Sequence, residues 1–168
     1  MPKALKSREK KPAAFSKRSH RAELPPVSPQ DPVWFDAASP LGSAVRYVAG
    51  LSSAFHWVGI YRLHGTKLVL GPFIGEETDH TEIPVGVGVC GTAVAENRDQ
   101  NVPDVRARTN YLACSLKTRS ELVVLVKDRQ GAILGQIDID SHFPDAFGEE
   151  EEKAVRRVAD ELGERWPE

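Results

Sequence analysis

Two thiols, three carboxylates and two aromatic rings carry most of the chemistry available to this sequence. Cys90 lies in Ile83-Pro-Val-Gly-Val-Gly-Val-Cys-Gly-Thr92, with Gly86, Gly88 and Gly91 around it. Glycine adopts backbone angles closed to other residues and lets a backbone pass close to a ligand. The other cysteine, Cys114, stands 24 residues on in Tyr-Leu-Ala-Cys-Ser. A thiolate is a nucleophile and a redox centre, and two thiols that meet can form a disulfide. Spacing alone does not show that these two pair. Each could instead be a small buried hydrophobe, the usual state of free cysteine. Against that, both sit in loop-rich, Gly- or Ser-flanked segments outside the apolar strands.

The acids come from two neighbouring strands. Gln136-Ile-Asp-Ile-Asp140 alternates, so Asp138 and Asp140 share one face and Ile137 and Ile139 the other. An exposed face would need no further account. A buried one would need a cation or hydrogen bonds to offset two desolvated carboxylates. Glu121 opens the preceding strand and can join the same face. Three acids around one concavity suit holding an ammonium group, holding a metal, or passing protons. No paired His or Cys-x-x-Cys accompanies them, which argues against a metal. Trp57 and Tyr61, four apart on an earlier strand, also share a face. They are either core or the walls of a site for a thioether or a cation. The glycine-rich loop lacks both G-x-G-x-x-G and G-x-x-x-x-G-K-[ST], so no nucleotide site is indicated.

The elements that must position these groups are legible from periodicity. Ser39-Pro40 reads as an N-cap and a first-turn proline, and Leu41, Ala44, Val45, Val48 and Ala49 follow at helical spacing. Strands are predicted at 55–63 and 67–73, joined by a hairpin around Gly65, with a polar loop at 74–80. A short strand at 81–84 leads into the glycine loop. Ala93, Val94, Ala95 and Glu96 then form a helix that has Cys90 near its first turn, where free N–H groups favour negative charge. Turn signals at Pro103-Asp104 and Asn110 precede strong strands at 121–127 and 132–140. A last helix from about Gly148 opens with four glutamates, and its Val155, Val158, Ala159, Leu162 and Trp166 form one apolar stripe. Paired strands with helices at the beginning, middle and end predict an α+β domain, with a central antiparallel sheet and helices mainly on one face.

Composition sets the outer bounds. Forty per cent hydrophobic residues in 168 is enough for one core. Residues 1–30 hold eight Lys/Arg against two acids, which leaves residues 31–168 at −8 within a net charge of −2. The acidic folded part gives no support for nucleic-acid binding beyond weak contacts by the basic end. Residues 1–31, basic and Pro-rich with no apolar period, read as a disordered tail ahead of one domain at 32–168. No apolar run approaches the roughly 20 residues that span a bilayer. The basic start lacks the apolar stretch of a secretory signal, and two cysteines make no disulfide framework. A reducing cytoplasm is the expected compartment.

Together these segments resemble the free methionine-(R)-sulfoxide reductases, small enzymes made of a single GAF domain. The resemblance rests on Trp57-Val-Gly-Ile-Tyr61, Leu68-Val-Leu-Gly-Pro-Phe73, Ile83-Pro with Gly88-Val-Cys-Gly-Thr-Ala93, Val102-Pro-Asp-Val105, Ala113-Cys114, Ser120-Glu-Leu-Val-Val124, and Gly135 with Ile137-Asp-Ile-Asp-Ser141. They follow in the family's order from about residue 55 to the C-terminal helix.

The resemblance implies a thiol mechanism. Cys114 matches the catalytic cysteine: its thiolate would attack the sulfoxide sulfur of free methionine sulfoxide, release methionine and become a sulfenic acid. A second thiol would condense with it to a disulfide, which thioredoxin, kept reduced by NADPH, would reopen. Glu121, Asp138 and Asp140 match an acidic cluster that holds the substrate ammonium and assists protonation of the sulfoxide oxygen. Trp57 and Tyr61 match the wall around the methyl-thioether end. The family commonly carries a third cysteine where this chain has His80, and Glu82 replaces an often basic residue. The resolving role would then fall to Cys90 or to an outside thiol. No bound cofactor and a homodimer are further expectations of the resemblance. The rival reading is a non-catalytic GAF module that binds a small molecule or senses redox state through the same thiols.

Overall fold

The computed structural model describes residues 38–107 and 116–167. Its elements run α1 (Pro40–Leu51), β1 (Trp57–His64), β2 (Lys67–Ile74), β3 (Glu82–Pro84), α2 (Gly88–Glu96), β4 (Gln100–Val102), a 3-10 turn (Val105–Ala107), β5 (Ser120–Lys127), β6 (Ile133–Ser141) and α3 (Glu149–Glu164). The six strands form one antiparallel sheet in the order β3-β2-β1-β6-β5-β4. The expected α+β architecture is therefore present, with each predicted element displaced by no more than two residues. β4 was not predicted. Three residues are too short to show alternation, and β4 gains its ladder by pairing Asn101 with Leu122 and Val102 with Glu121. The division at residue 31, and the tail before it, lie outside the described residues.

The two faces of the sheet bury different things. On one, Val58, Ile60, Leu122, Val124, Ile137 and Ile139 are buried beneath α1 and α3. Leu41, Ala44, Val45 and Val48 of α1 meet them, as do Val155, Val158, Ala159 and Leu162 of α3, the stripe read from the sequence. Trp166 is partly buried at the end of that stripe, with the Arg62 guanidinium 5.6 Å above its ring. Pro40 opens α1, but Ser39 makes no side-chain cap. At the start of α3 the Gly148 N–H donates to the Glu151 carboxylate at 3.0 Å, so one of the four glutamates closes the helix start directly.

Among the described residues, α2 is the helix on the opposite face. Its Val89, Cys90 and Ala93 pack with Trp57, Tyr61, Val123 and Leu125 of the sheet and with Leu68 and Ile83 at its edge. The face that carries the acids is consequently closed from solvent by an element whose position depends on the glycine loop before it.

Candidate active site

The glycine loop sets the position of Cys90. Gly86 and Gly88 have φ of +88° and +64°, where a side chain would be strained. The Gly86 N–H donates to the Gly91 carbonyl at 2.8 Å, and a Cβ on Gly91 would stand 2.4 Å from the Pro84 carbonyl oxygen. The backbone thus folds tightly on itself, and α2 starts with Cys90 as its third residue, facing the sheet. Cys90 is buried, and its thiol donates to Glu121 Oε1 with sulfur and oxygen 3.9 Å apart.

The strand register gathers the carboxylates. Glu121 on β5 pairs directly with Asp140 on β6, while Asp138 pairs with Val123 on one side and Gly59 on the other. One atom each of Cys90, Glu121 and Asp138 lie within 4.8 Å of one another. Glu121, Asp138 and Asp140 are all at most 2% exposed, so the alternation of β6 belongs to a strand buried on both faces. Neither carboxyl oxygen of Asp138 has a hydrogen-bond partner among the described residues, nor does Oδ1 of Asp140.

Such burial disfavours charge. Desolvation pushes Asp138 from its ordinary 3.8 up to about 7; the Cys90 thiol and the Ile139 amide approach it without making a full hydrogen bond and draw it back by smaller amounts. Asp140 is raised well above the carboxylate range, first by burial and then by the negative charge of Asp138. At neutral pH the pair therefore holds dissociable protons inside the protein. That is the property required of a general acid.

Trp57 and Tyr61 stand on the same face as the acids and complete the wall. Trp57 pairs with Asp140 across β1 and β6, and its ring stacks on Phe73 with centroids 5.6 Å apart. Its Nε1–H donates to the Glu76 carbonyl at 3.1 Å. A Cβ on Gly59 would come 2.2 Å from the Trp57 ring and one on Gly75 2.4 Å from it, so two glycines leave the space this indole occupies. The Tyr61 hydroxyl donates to the His80 carbonyl at 2.9 Å. Residue 80, where a third cysteine was expected from the resemblance, thus contributes its backbone to the wall.

A pocket of about 80 Å³ opens beside Asp140 and Trp57, lined also by His56, Glu76, Glu77, Thr118 and His142. The His56 and His142 rings stack at 3.9 Å, and burial with the adjacent His56 and Lys117 charges lowers the pKa of His142. Glu76 is ion-paired with Lys117 across the mouth. Thr118 Oγ1 is buried without a partner among the described residues. Sequence reasoning missed these mouth residues. His142 could have been found, since it extends the alternation of Asp138 and Asp140 by one step; nothing local marks Thr118. Of the anticipated residues, Cys90, Glu121, Asp138, Asp140, Trp57 and Tyr61 come together, and Cys114 lies outside the described residues.

Comparison with known proteins identifies the family. The model of the GAF domain family matches residues 43–166. The free methionine-R-sulfoxide reductase of Escherichia coli is 43% identical over 108 residues, 64% of each chain. The matched stretch spans between 62% and 66% of the length of the curated relatives it resembles. A type II free methionine-R-sulfoxide reductase from Thermoplasma acidophilum superposes with a TM-score of 0.72 at 42% identity, over 76% of this chain and 89% of that one. The free methionine-R-sulfoxide reductase of Neisseria meningitidis, solved in complex with its substrate, superposes at 0.71 with 33% identity, over 78% of each. The chain belongs to the GAF domain family and, within it, to the free methionine-R-sulfoxide reductases.

Proposed function

We propose that this chain reduces free methionine-(R)-sulfoxide to methionine with its own thiols. The observation that carries the reading is the buried acid face: Asp138, titrating near 7, stands beside a cysteine thiol and under an aromatic wall. A sulfoxide is reduced only if its oxygen takes up protons as the sulfur is attacked, so a thiol with a protonated carboxyl nearby is the minimum equipment.

In this reading Cys114 is the nucleophile. Its thiolate attacks the sulfoxide sulfur, Asp138 delivers a proton to the oxygen, methionine departs, and Cys114 becomes a sulfenic acid. The Cys90 thiol then displaces water to give a disulfide. In total one sulfoxide and two thiols become one thioether, one disulfide and one water. Glu121 and Asp140 receive the substrate ammonium, whose positive charge favours the ionised form of Asp140 that burial alone disfavours. This favours a free amino acid, because the same nitrogen in a peptide is an uncharged amide. Trp57 and Tyr61 hold the methyl-thioether end. Thioredoxin reopens the disulfide, no cofactor is bound, and the chain works in the cytoplasm as a homodimer. Residues 32–168 form the catalytic domain and residues 1–31 a separate tail.

The test is NADPH consumption with thioredoxin and thioredoxin reductase, offering the R and S sulfoxides separately. Turnover of the R form that vanishes in Cys114→Ser is the expected result. Cys90→Ser should release about one equivalent of methionine and then stall, since each thiolate attack uses one cysteine. Sulfoxide bound without being consumed, by protein with both thiols reduced, would replace this reading with a non-catalytic binding or sensing module.

A further inference from the structure

We propose that Cys90, Glu121 and Asp138 form a binding site for a thiophilic divalent cation, Zn²⁺ or its congener Cd²⁺, on the reduced protein. The sequence argued against a metal at the acids because neither a Cys-x-x-Cys nor a paired histidine accompanies them. Tertiary structure supplies a ligand that local spacing did not, a thiol brought from another element to two of the acids. Cys90 on α2, Glu121 on β5 and Asp138 on β6 each offer one ligand atom, and these atoms lie within 4.8 Å of one another. All three residues are at most 3% exposed.

Two observations separate this set from an ordinary acidic cluster. First, Asp138 is fully buried, and neither of its carboxyl oxygens is hydrogen-bonded among the described residues. A buried carboxyl with vacant acceptors faces the two other ligands. Second, the spacing suits zinc. Zn–S bonds are about 2.3 Å and Zn–O bonds about 2.1 Å, so one ion bridging the 3.9 Å between Cys90 Sγ and Glu121 Oε1 subtends about 125°. That is about 15° wider than the tetrahedral angle, and Asp138 offers its ligand atom within 4.8 Å of the other two. One soft thiolate with two hard oxygens is a donor set that zinc accepts and that magnesium or calcium does not.

Binding exchanges protons for the metal: the Cys90 S–H bond and the O–H bond of any protonated Asp138 break, Zn–S and Zn–O bonds form, and the protons pass to the buffer. No electrons move. Only the consequence rests on the reductase reading. With Cys90 sulfur on the metal it is not available to condense with a sulfenic acid, and with Asp138 ligated no proton is delivered, so the loaded enzyme should not turn over.

The metal-free, reduced full-length chain is titrated with Zn²⁺ against a chromophoric chelator, and with Cd²⁺ followed by thiolate-to-metal absorption. One equivalent should bind to the wild type and to Cys114→Ser. Affinity should fall at least about tenfold in Cys90→Ser and in Asp138→Asn, with folding checked by circular dichroism. Independently of any variant, Zn²⁺ should protect Cys90 from alkylation, read by mass spectrometry of the labelled peptide. No binding by the wild type, undiminished binding by a folded Cys90→Ser, or equal alkylation of Cys90 with and without Zn²⁺ would each overturn the proposal. Turnover of the metal-free chain is measured in parallel. If it is absent while stoichiometric binding persists, the reductase reading fails and the metal site stands.

Discussion

Replacing Asp138 by asparagine should stabilise the protein at alkaline pH while disabling it. The carboxyl is fully buried with no hydrogen-bond partner among the described residues, and desolvation lifts its pKa from 3.8 to about 7. An acid whose folded pKa exceeds its unfolded one binds more protons in the folded state, so the free energy of unfolding falls as pH rises between the two values. Stability is full below about pH 4, declines towards pH 7 and stays low above it. Each pKa unit corresponds to about 1.4 kcal/mol, so the whole titration removes about 4 kcal/mol. Asparagine keeps the shape and cannot ionise. Its amide is no better satisfied than the neutral acid, which offsets part of the gain at every pH by a constant amount. The variable part is the informative one. Between pH 5 and pH 8 the stability of Asp138→Asn relative to wild type should increase by about 3 kcal/mol. Asp140 adds to it, because its own rise owes its second-largest part to Asp138. Urea unfolding of both proteins at pH 5, 6.5 and 8 reads this directly. A difference that does not change with pH would refute the claim that Asp138 is buried and titrates near neutrality. The same variant should lose about 10² to 10⁴ in methionine formation if the carboxyl is the acid.

Three further expectations follow from single contacts. Gly59→Ala places a methyl 2.2 Å from the Trp57 ring and must displace it, so KM for the sulfoxide should rise about tenfold while the thiols react normally with a disulfide reagent. Unchanged KM would mean that this wall does not touch substrate. Tyr61→Phe loses the bond to the His80 carbonyl, which should cost about 1 kcal/mol in thermal unfolding and speed amide exchange in residues 78–82. A Cβ on Gly163 would lie 2.0 Å from the Lys127 carbonyl, where α3 crosses the end of β5. Gly163→Ala should therefore lower stability by about 1–3 kcal/mol, and a neutral result would show that α3 can shift away from the sheet freely.

Much of the frame was legible because short-range rules govern it. Apolar runs bounded by turn residues marked β1, β2 and β5, alternation marked β6, helical spacing marked α1 and α3, and the glycines around Cys90 marked the start of α2. Period 2 also placed Asp138 with Asp140, and Trp57 with Tyr61, on shared faces. β4 escaped because its three residues draw their strand character from β5 rather than from their own side chains. His56 and Thr118 escaped for a similar reason: they matter only because the ends of β1, β5 and β6 converge on one mouth.

What the sequence by itself determined, then, was which residues lie on a common face of each strand, since side-chain direction follows from backbone pleat alone. It could not decide whether the face bearing Asp138 and Asp140 meets water, because an alternating strand looks the same exposed or covered. The tertiary structure decided that by seating α2 over β5 and β6. That packing brought the Cys90 sulfur to 3.9 Å from a carboxylate 31 positions away, and the assembled layers hold three acids out of water. The proton affinity of the site follows from that desolvation, and desolvation belongs to the assembled layers rather than to any segment of the chain.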